Sequence, residues 1–130
     1  WPILWVLHLA YALIPLALAV KAAWLLAGAS WASAWLHLQM AGAVSLMILA
    51  VMTRATLGHT GRALVASPAT VAAYGLLLVA ALLRGFAGAM LQDPLPVVAA
   101  AALCWVSAFV LFLAAYAPML VGARADGKAG

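Results

Sequence analysis

Acidic side chains are almost missing from this sequence. Asp93 and Asp126 are the only two in 130 residues, and there is no Glu at all. A carboxylate pair for acid–base work, or a carboxylate relay through a membrane, cannot be assembled from them, which speaks against a self-contained proton or cation pump. Charge of either sign makes up only 6% of the chain, whereas 71% is apolar and the mean hydropathy is +1.24. Eight charged side chains cannot cover that much apolar surface in water, so the solvent is lipid. Cysteine is nearly absent too. Cys104 stands alone in the last apolar run, which excludes an internal disulfide or a CxxC metal knuckle and leaves it as a small buried hydrophobe. There is no Walker loop, no Ser-His-Asp set and no dinucleotide fingerprint. The pI near 9.9 does not signal nucleic acid, because six cations spread along the chain form no patch.

What remains is long hydrocarbon. The apolar runs are continuous and rich in Ala and Leu, unlike the alternating ten-residue strands of a membrane barrel, so the spans are helices. The pattern predicts an all-α, polytopic membrane protein with a single domain over 1–130. Its four transmembrane helices, over about 3–26, 35–53, 68–84 and 95–121, form an up-down bundle. Trp1, Trp5, Trp24 and Trp31 suit the interfacial belts. Pro15 should kink the first span, and Lys21 should snorkel to its far end. Ser67-Pro68 is a helix start, with Ser as cap and Pro at the first helical position. The abundant Ala, with Gly42, Gly85 and Gly88, lets helices approach closely. The first run is too long for a signal peptide, and the missing Met points to a chain that begins mid-protein or has been processed.

Four spans put the N-terminus, the central loop and the C-terminal tail on one side of the bilayer. That side carries Arg54, Arg62, Arg124 and Lys128 against Asp126, and the other carries Lys21 and Arg84 against Asp93. The positive-inside rule assigns the first side to the cytoplasm.

Ionisable groups within spans are expensive and are functional candidates by default. His8 lies roughly 8 Å below the near interface, with Trp5 and Tyr11 on its face at three-residue spacing. It reads either as a metal or haem ligand or as a histidine bonded to a backbone carbonyl, such as one released near Pro15. His37 lies just inside the second span at the opposite end, with Met40, Val44 and Met47 along its face. Those methionines are packing residues or a soft ligand set for copper. About 20 Å along the membrane normal separates His8 from His37, so the two cannot ligate one ion. Arg84, at His37's end, snorkels or pairs with an anion. His59 falls in the polar stretch Val51–Arg62, read as an interfacial loop between two apolar runs, with Gly58 and Gly61 beside it and Arg54 and Arg62 bracketing it. That loop either anchors the bundle to anionic lipid or re-enters to bring His59 near His8, an arginine then neutralising a carboxylate such as a haem propionate.

The string M-T-R-A-T-L-G-H-T-G-R from Met52 to Arg62 resembles the signature of the NnrS family of bacterial membrane proteins. W-V-L-H-L-A-Y-A-L-I-P-L from Trp5, W-L-H-L-Q-M-A-G-A from Trp35, and the ending Y-A-P-M-L through D-G-K-A-G agree with it in order. The resemblance implies a haem- and copper-containing protein of the bacterial inner membrane, multi-pass, with cytoplasmic termini. It also implies a role in nitric oxide response and nitrosative-stress tolerance. Carried onto matching positions, it makes His8, His37 and His59 the haem or metal ligands and Arg54 and Arg62 their motif partners. Family members are longer, and this chain resembles their C-terminal part, so further membrane helices or subunits would complete a site. The competing expectation is a small accessory subunit that packs on a larger membrane complex without a redox cofactor of its own. The expected partners are the lipid bilayer, those further helices and a small gas ligand, with no nucleic acid.

Overall fold

The computed structural model describes residues 2–87 and 90–127, so the readings placed on Trp1, Gly88 and Lys128 lie outside the described residues. Among the described residues four helices are long and apolar enough to cross a membrane: α1 (Pro2–Ala27), α2 (Ser30–His59), α3 (Pro68–Phe86) and α4 (Leu95–Val121). No strand occurs among the described residues. The chain is a multi-pass, all-α membrane protein whose helices run up and down. One end of the bundle carries Pro2, His59, Pro68 and the tail; the other carries the α1–α2 and α3–α4 turns.

α1 packs chiefly on α2, and α4 on α3 and α2. The α1 seam is Ile3, Val6, Ala10, Leu13, Ala17 and Val20, buried at alternating three- and four-residue spacing. Most of the remaining surface of α1 is also apolar, as a helix in lipid requires. Pro15 sits on an exposed face inside α1, and the helix is continuous through it. At the far end Lys21 lies over the Trp35 ring, 4.4 Å from its centroid, tying α1 to α2 by a cation–π contact. α3 begins as its sequence demands. Ser67 caps the Thr70 amide at 3.2 Å and Pro68 follows the cap. The Thr70 hydroxyl meets the Tyr116 hydroxyl at 2.8 Å, and Tyr116 stacks on Phe112, which joins α3 to α4 in the core.

α2 is not one regular helix. It opens with a 3₁₀ turn over Ser30–Ala34, passes through a π segment over Leu38–Val44, and is α-helical from Ser45 to His59. A second π segment, Leu83–Ala87, ends α3 beside the first. The two helices touch there through small residues: a Cβ added at Gly42 would lie 2.9 Å from the Ala81 Cβ.

The stretch read as a loop from Thr53 onward is helix as far as His59, and this corrects the position of His59. Its polar residues do not stop the helix because they are satisfied within it. Thr53 Oγ1 donates to the Leu49 carbonyl at 2.8 Å and Thr60 Oγ1 to the Thr56 carbonyl at 2.6 Å. The helix ends only at Gly61, whose φ of +68° is the left-handed conformation of a C-terminal glycine. The Arg62 amide donates to the Leu57 carbonyl at 2.9 Å and the Gly61 amide to the Gly58 carbonyl at 3.2 Å, the paired bonds of a Schellman cap.

Candidate functional site

The histidines separate into two places. His8 and His59 border one groove, on the outward side where α1 meets α2 at the tail end. His8 lies off the buried seam of α1 and is exposed with Trp5 and Tyr11, so these three form a single outward face. Its Nδ1 is 2.9 Å from the Leu4 carbonyl, one turn earlier in the same helix and not a carbonyl released by Pro15. A carbonyl can only accept, so Nδ1 is the donor in this bond and Nε2 is the nitrogen not engaged by it. The space in front of His8 has a volume of about 590 Å³, with Leu7, Tyr11, Pro15 and Met47 among its walls.

A second lobe of about 360 Å³ lies toward the tail end and is lined by Leu7, Val51, Arg54, Gly58, His59 and Leu64. Leu7 belongs to both lobes, and Met47 and Val51 are one turn apart on α2. The lobes of His59 and His8 are thus neighbours that meet at Leu7. Both lobes form where α1 meets α2, with Leu64 of the α2–α3 connection adding a wall to that of His59.

Arg62 does not join Arg54 in this groove. Its Nη1 lies 3.4 Å from the Thr60 carbonyl, so it closes over the helix cap. The tail latches onto the same cap. Arg124 Nη1 donates to the His59 carbonyl at 2.9 Å, the Ala125 amide donates to the Thr60 carbonyl at 2.9 Å, and Arg124 holds Asp126 through bonds of 2.9 and 2.7 Å. Asp126 raises the Arg124 pKa above the ordinary arginine value, first by hydrogen bonding and further by its charge. The Asp126 carboxylate rests against Gly61, where any side chain would meet it. Nothing in the sequence beyond the R-A-D spacing pointed to this latch.

His37 is at the other end, in a cleft among α2, α3 and α4. Its principal walls are His37, Arg84 and Trp105 over a floor of Ala80, Ala101 and Ala102, enclosing about 300 Å³. The sequence put Arg84 and His37 at the same end of the bundle; the fold brings them into one cavity. Trp105 came without a signal, lying within an uninterrupted apolar run. Its Nε1 donates to Ser45 Oγ at 3.0 Å, and that hydroxyl donates to the Met40 carbonyl in the π segment at 3.0 Å. The supposed His37–Met40–Val44–Met47 face is broken. The π segment changes the residue spacing, so Met47 lines the His8 groove and no methionine lines the cleft of His37 among the described residues. Among the described residues no three His, Cys, Asp or Glu side chains converge as a metal-binding group.

A family model described as NnrS protein matches residues 1–124. No curated protein and no solved structure matches the chain.

Proposed function

The chain belongs to the NnrS family, and from that membership we propose that it is a haem-binding membrane module that meets nitric oxide at the groove between α1 and α2. One observation carries the choice of place. The His8 Nδ1 proton is committed to the Leu4 carbonyl, which holds the ring beside the larger lobe and leaves Nε2 as the nitrogen available to a metal. A histidine that ligates a metal through one nitrogen commonly donates its other N–H to a carbonyl in this way.

The donor set fits a haem. His8 would hold the iron, His59 borders the adjoining lobe as a second imidazole, and Arg54 lines that lobe as a partner for a propionate carboxylate. Haem iron, when bound, supplies a coordination position for a diatomic gas. The apolar walls admit a small apolar gas from the lipid without a polar path. Arg62 and the Arg124–Asp126 latch act one step away, holding the end of the helix that carries His59. Copper accepts imidazole and thioether donors, and His8 with Met47 would meet it in the same lobe. His37 has no place in this site and would serve a separate ligand. The positive-inside rule favours a cytoplasmic tail end in the bacterial inner membrane. The groove is open on the side where Trp5 and Tyr11 are 73% and 70% exposed, and a further helix or subunit docked there would close it.

The test is the optical spectrum of the full chain purified from cells supplied with a haem precursor and copper. A Soret band is expected, lost or shifted in His8→Ala and weakened in His59→Ala, with Arg54→Gln lowering haem retention. A colourless preparation, or an unchanged band in His8→Ala, would overturn the reading. The exposed Trp5–Tyr11 face also favours a second reading, an accessory subunit of a larger membrane complex. Stable copurification with such a complex, without stoichiometric haem, would select it.

A further inference from the structure

The cleft at the other end of the bundle lies outside the haem reading and does not depend on it. We propose that it binds a phosphate oxyanion carried on a hydrocarbon body, the chemistry of an anionic phospholipid, through Arg84 and His37.

Arg84 is half-buried in the cleft wall with no hydrogen-bonding or ion-paired acceptor among the described residues. Asp93, the acid at this end, directs Oδ1 to the Leu95 amide at 3.2 Å. A guanidinium held in an apolar wall is satisfied by an oxyanion from outside the fold, and its planar fork of donors matches phosphate geometry. His37 faces the same space and adds a ring N–H. Together they put two donor side chains in the wall of one cavity.

The rest of the cleft is hydrocarbon. Ala80, Ala101 and Ala102 are small, so the floor is open where larger residues would have closed it. Trp105 forms the inner wall and is pinned through Ser45 to the π segment, so its ring cannot swing in to fill the space. It lies ten residues into α4, about 15 Å from the helix start. The site is therefore polar near the helix ends and apolar toward the membrane centre. That polarity runs the same way as a lipid, with its phosphate at the interface and its chain inward. Inorganic phosphate would use the two donors and gain nothing from the floor. At about 300 Å³ the cleft accommodates a headgroup and the first part of a chain, at the lower end of the range for small-ligand sites.

Native mass spectrometry of the detergent-purified full chain, mixed in turn with phosphatidylglycerol, phosphatidylcholine and inorganic phosphate, tests this. Retention of phosphatidylglycerol over phosphatidylcholine is expected, with inorganic phosphate neither retained nor competing at equal concentration. Arg84→Gln should reduce retention by about tenfold or more, as loss of a charge-assisted contact does. Arg84→Lys should keep part of it, and Lys21→Gln, which removes a cation from the same end outside the cleft, should change it little. Ala102→Phe fills the floor while sparing Arg84 and His37, and should also abolish retention with helicity by circular dichroism unchanged. Equal retention of both lipids, or undiminished retention in Arg84→Gln, would overturn the site. Competition by inorganic phosphate at equal concentration would overturn the lipid assignment and leave a free-anion site.

Discussion

The two glycines of the G-H-T-G sequence should respond to the same substitution with opposite signs. Gly58 lies in the last turns of α2, and a Cβ added there would have nothing within 4 Å. Gly58→Ala removes backbone freedom from the unfolded chain and should stabilise by about 0.5–1 kcal/mol. Gly61 stands at φ +68°, where a side chain costs about 1–2 kcal/mol. Its added Cβ would also lie 2.5 Å from the Asp126 Cγ and 2.8 Å from both carboxylate oxygens, so the tail must move. Moving it loosens the bonds from Arg124 and Ala125 to the cap, and one lost bond raises the total to about 2–3 kcal/mol. For a domain of this size each kcal/mol moves the midpoint by roughly 3–5 °C. Thermal unfolding in detergent, followed by circular dichroism, should show Gly61→Ala lower by about 6–15 °C and Gly58→Ala higher by about 2–5 °C. In an Asp126→Ala background the collision is gone, and Gly61→Ala should cost only its backbone share of about 1–2 kcal/mol. Shifts of the same sign, or a Gly61→Ala midpoint equal to that of the parent, would refute the cap geometry.

Three further outcomes follow from the same contacts. Tyr116→Phe removes the buried partner of Thr70 but leaves Thr70 its bond to Ser67, so the same melts should show a loss of about 1 kcal/mol. Ser45→Ala strands the Trp105 indole N–H and frees its ring, and should cost about 1–2 kcal/mol while altering the Trp105 contribution to the fluorescence spectrum. The raised Arg124 pKa means that, wherever its carboxylate partner is ionised, the latch is fully present below the ordinary arginine value and is lost as pH rises through the raised value. Tryptic cleavage after Arg124 should therefore stay slow between pH 7 and 9.5 and accelerate in Asp126→Ala, and a rise with pH alone would contradict the pairing.

The sequence by itself determined the number of helices, their order and the membrane class. Each of these depends on a local property, a run of about twenty apolar residues with turn chemistry between runs. Ser67-Pro68 was legible for the same reason, since a cap and a fixed φ act within one turn. The faces of the helices were not legible. In water an apolar stripe marks the buried side, but in lipid the outer side is equally apolar and the stripe disappears. Nothing in α1 alone distinguishes the buried Ile3–Val6–Ala10 seam from the outward Trp5–His8–Tyr11 face. Polarity misled in Val51–Arg62, where hydroxyls bonded to carbonyls four residues back let the helix continue to His59. Only tertiary structure put His59 and Arg54 around a lobe next to that of His8 and sent Arg62 to the cap. It also turned His37 away from the methionines toward Arg84 and Trp105. These placements depend on which helices touch and on a π segment in α2, and both are set by packing between residues far apart in the chain.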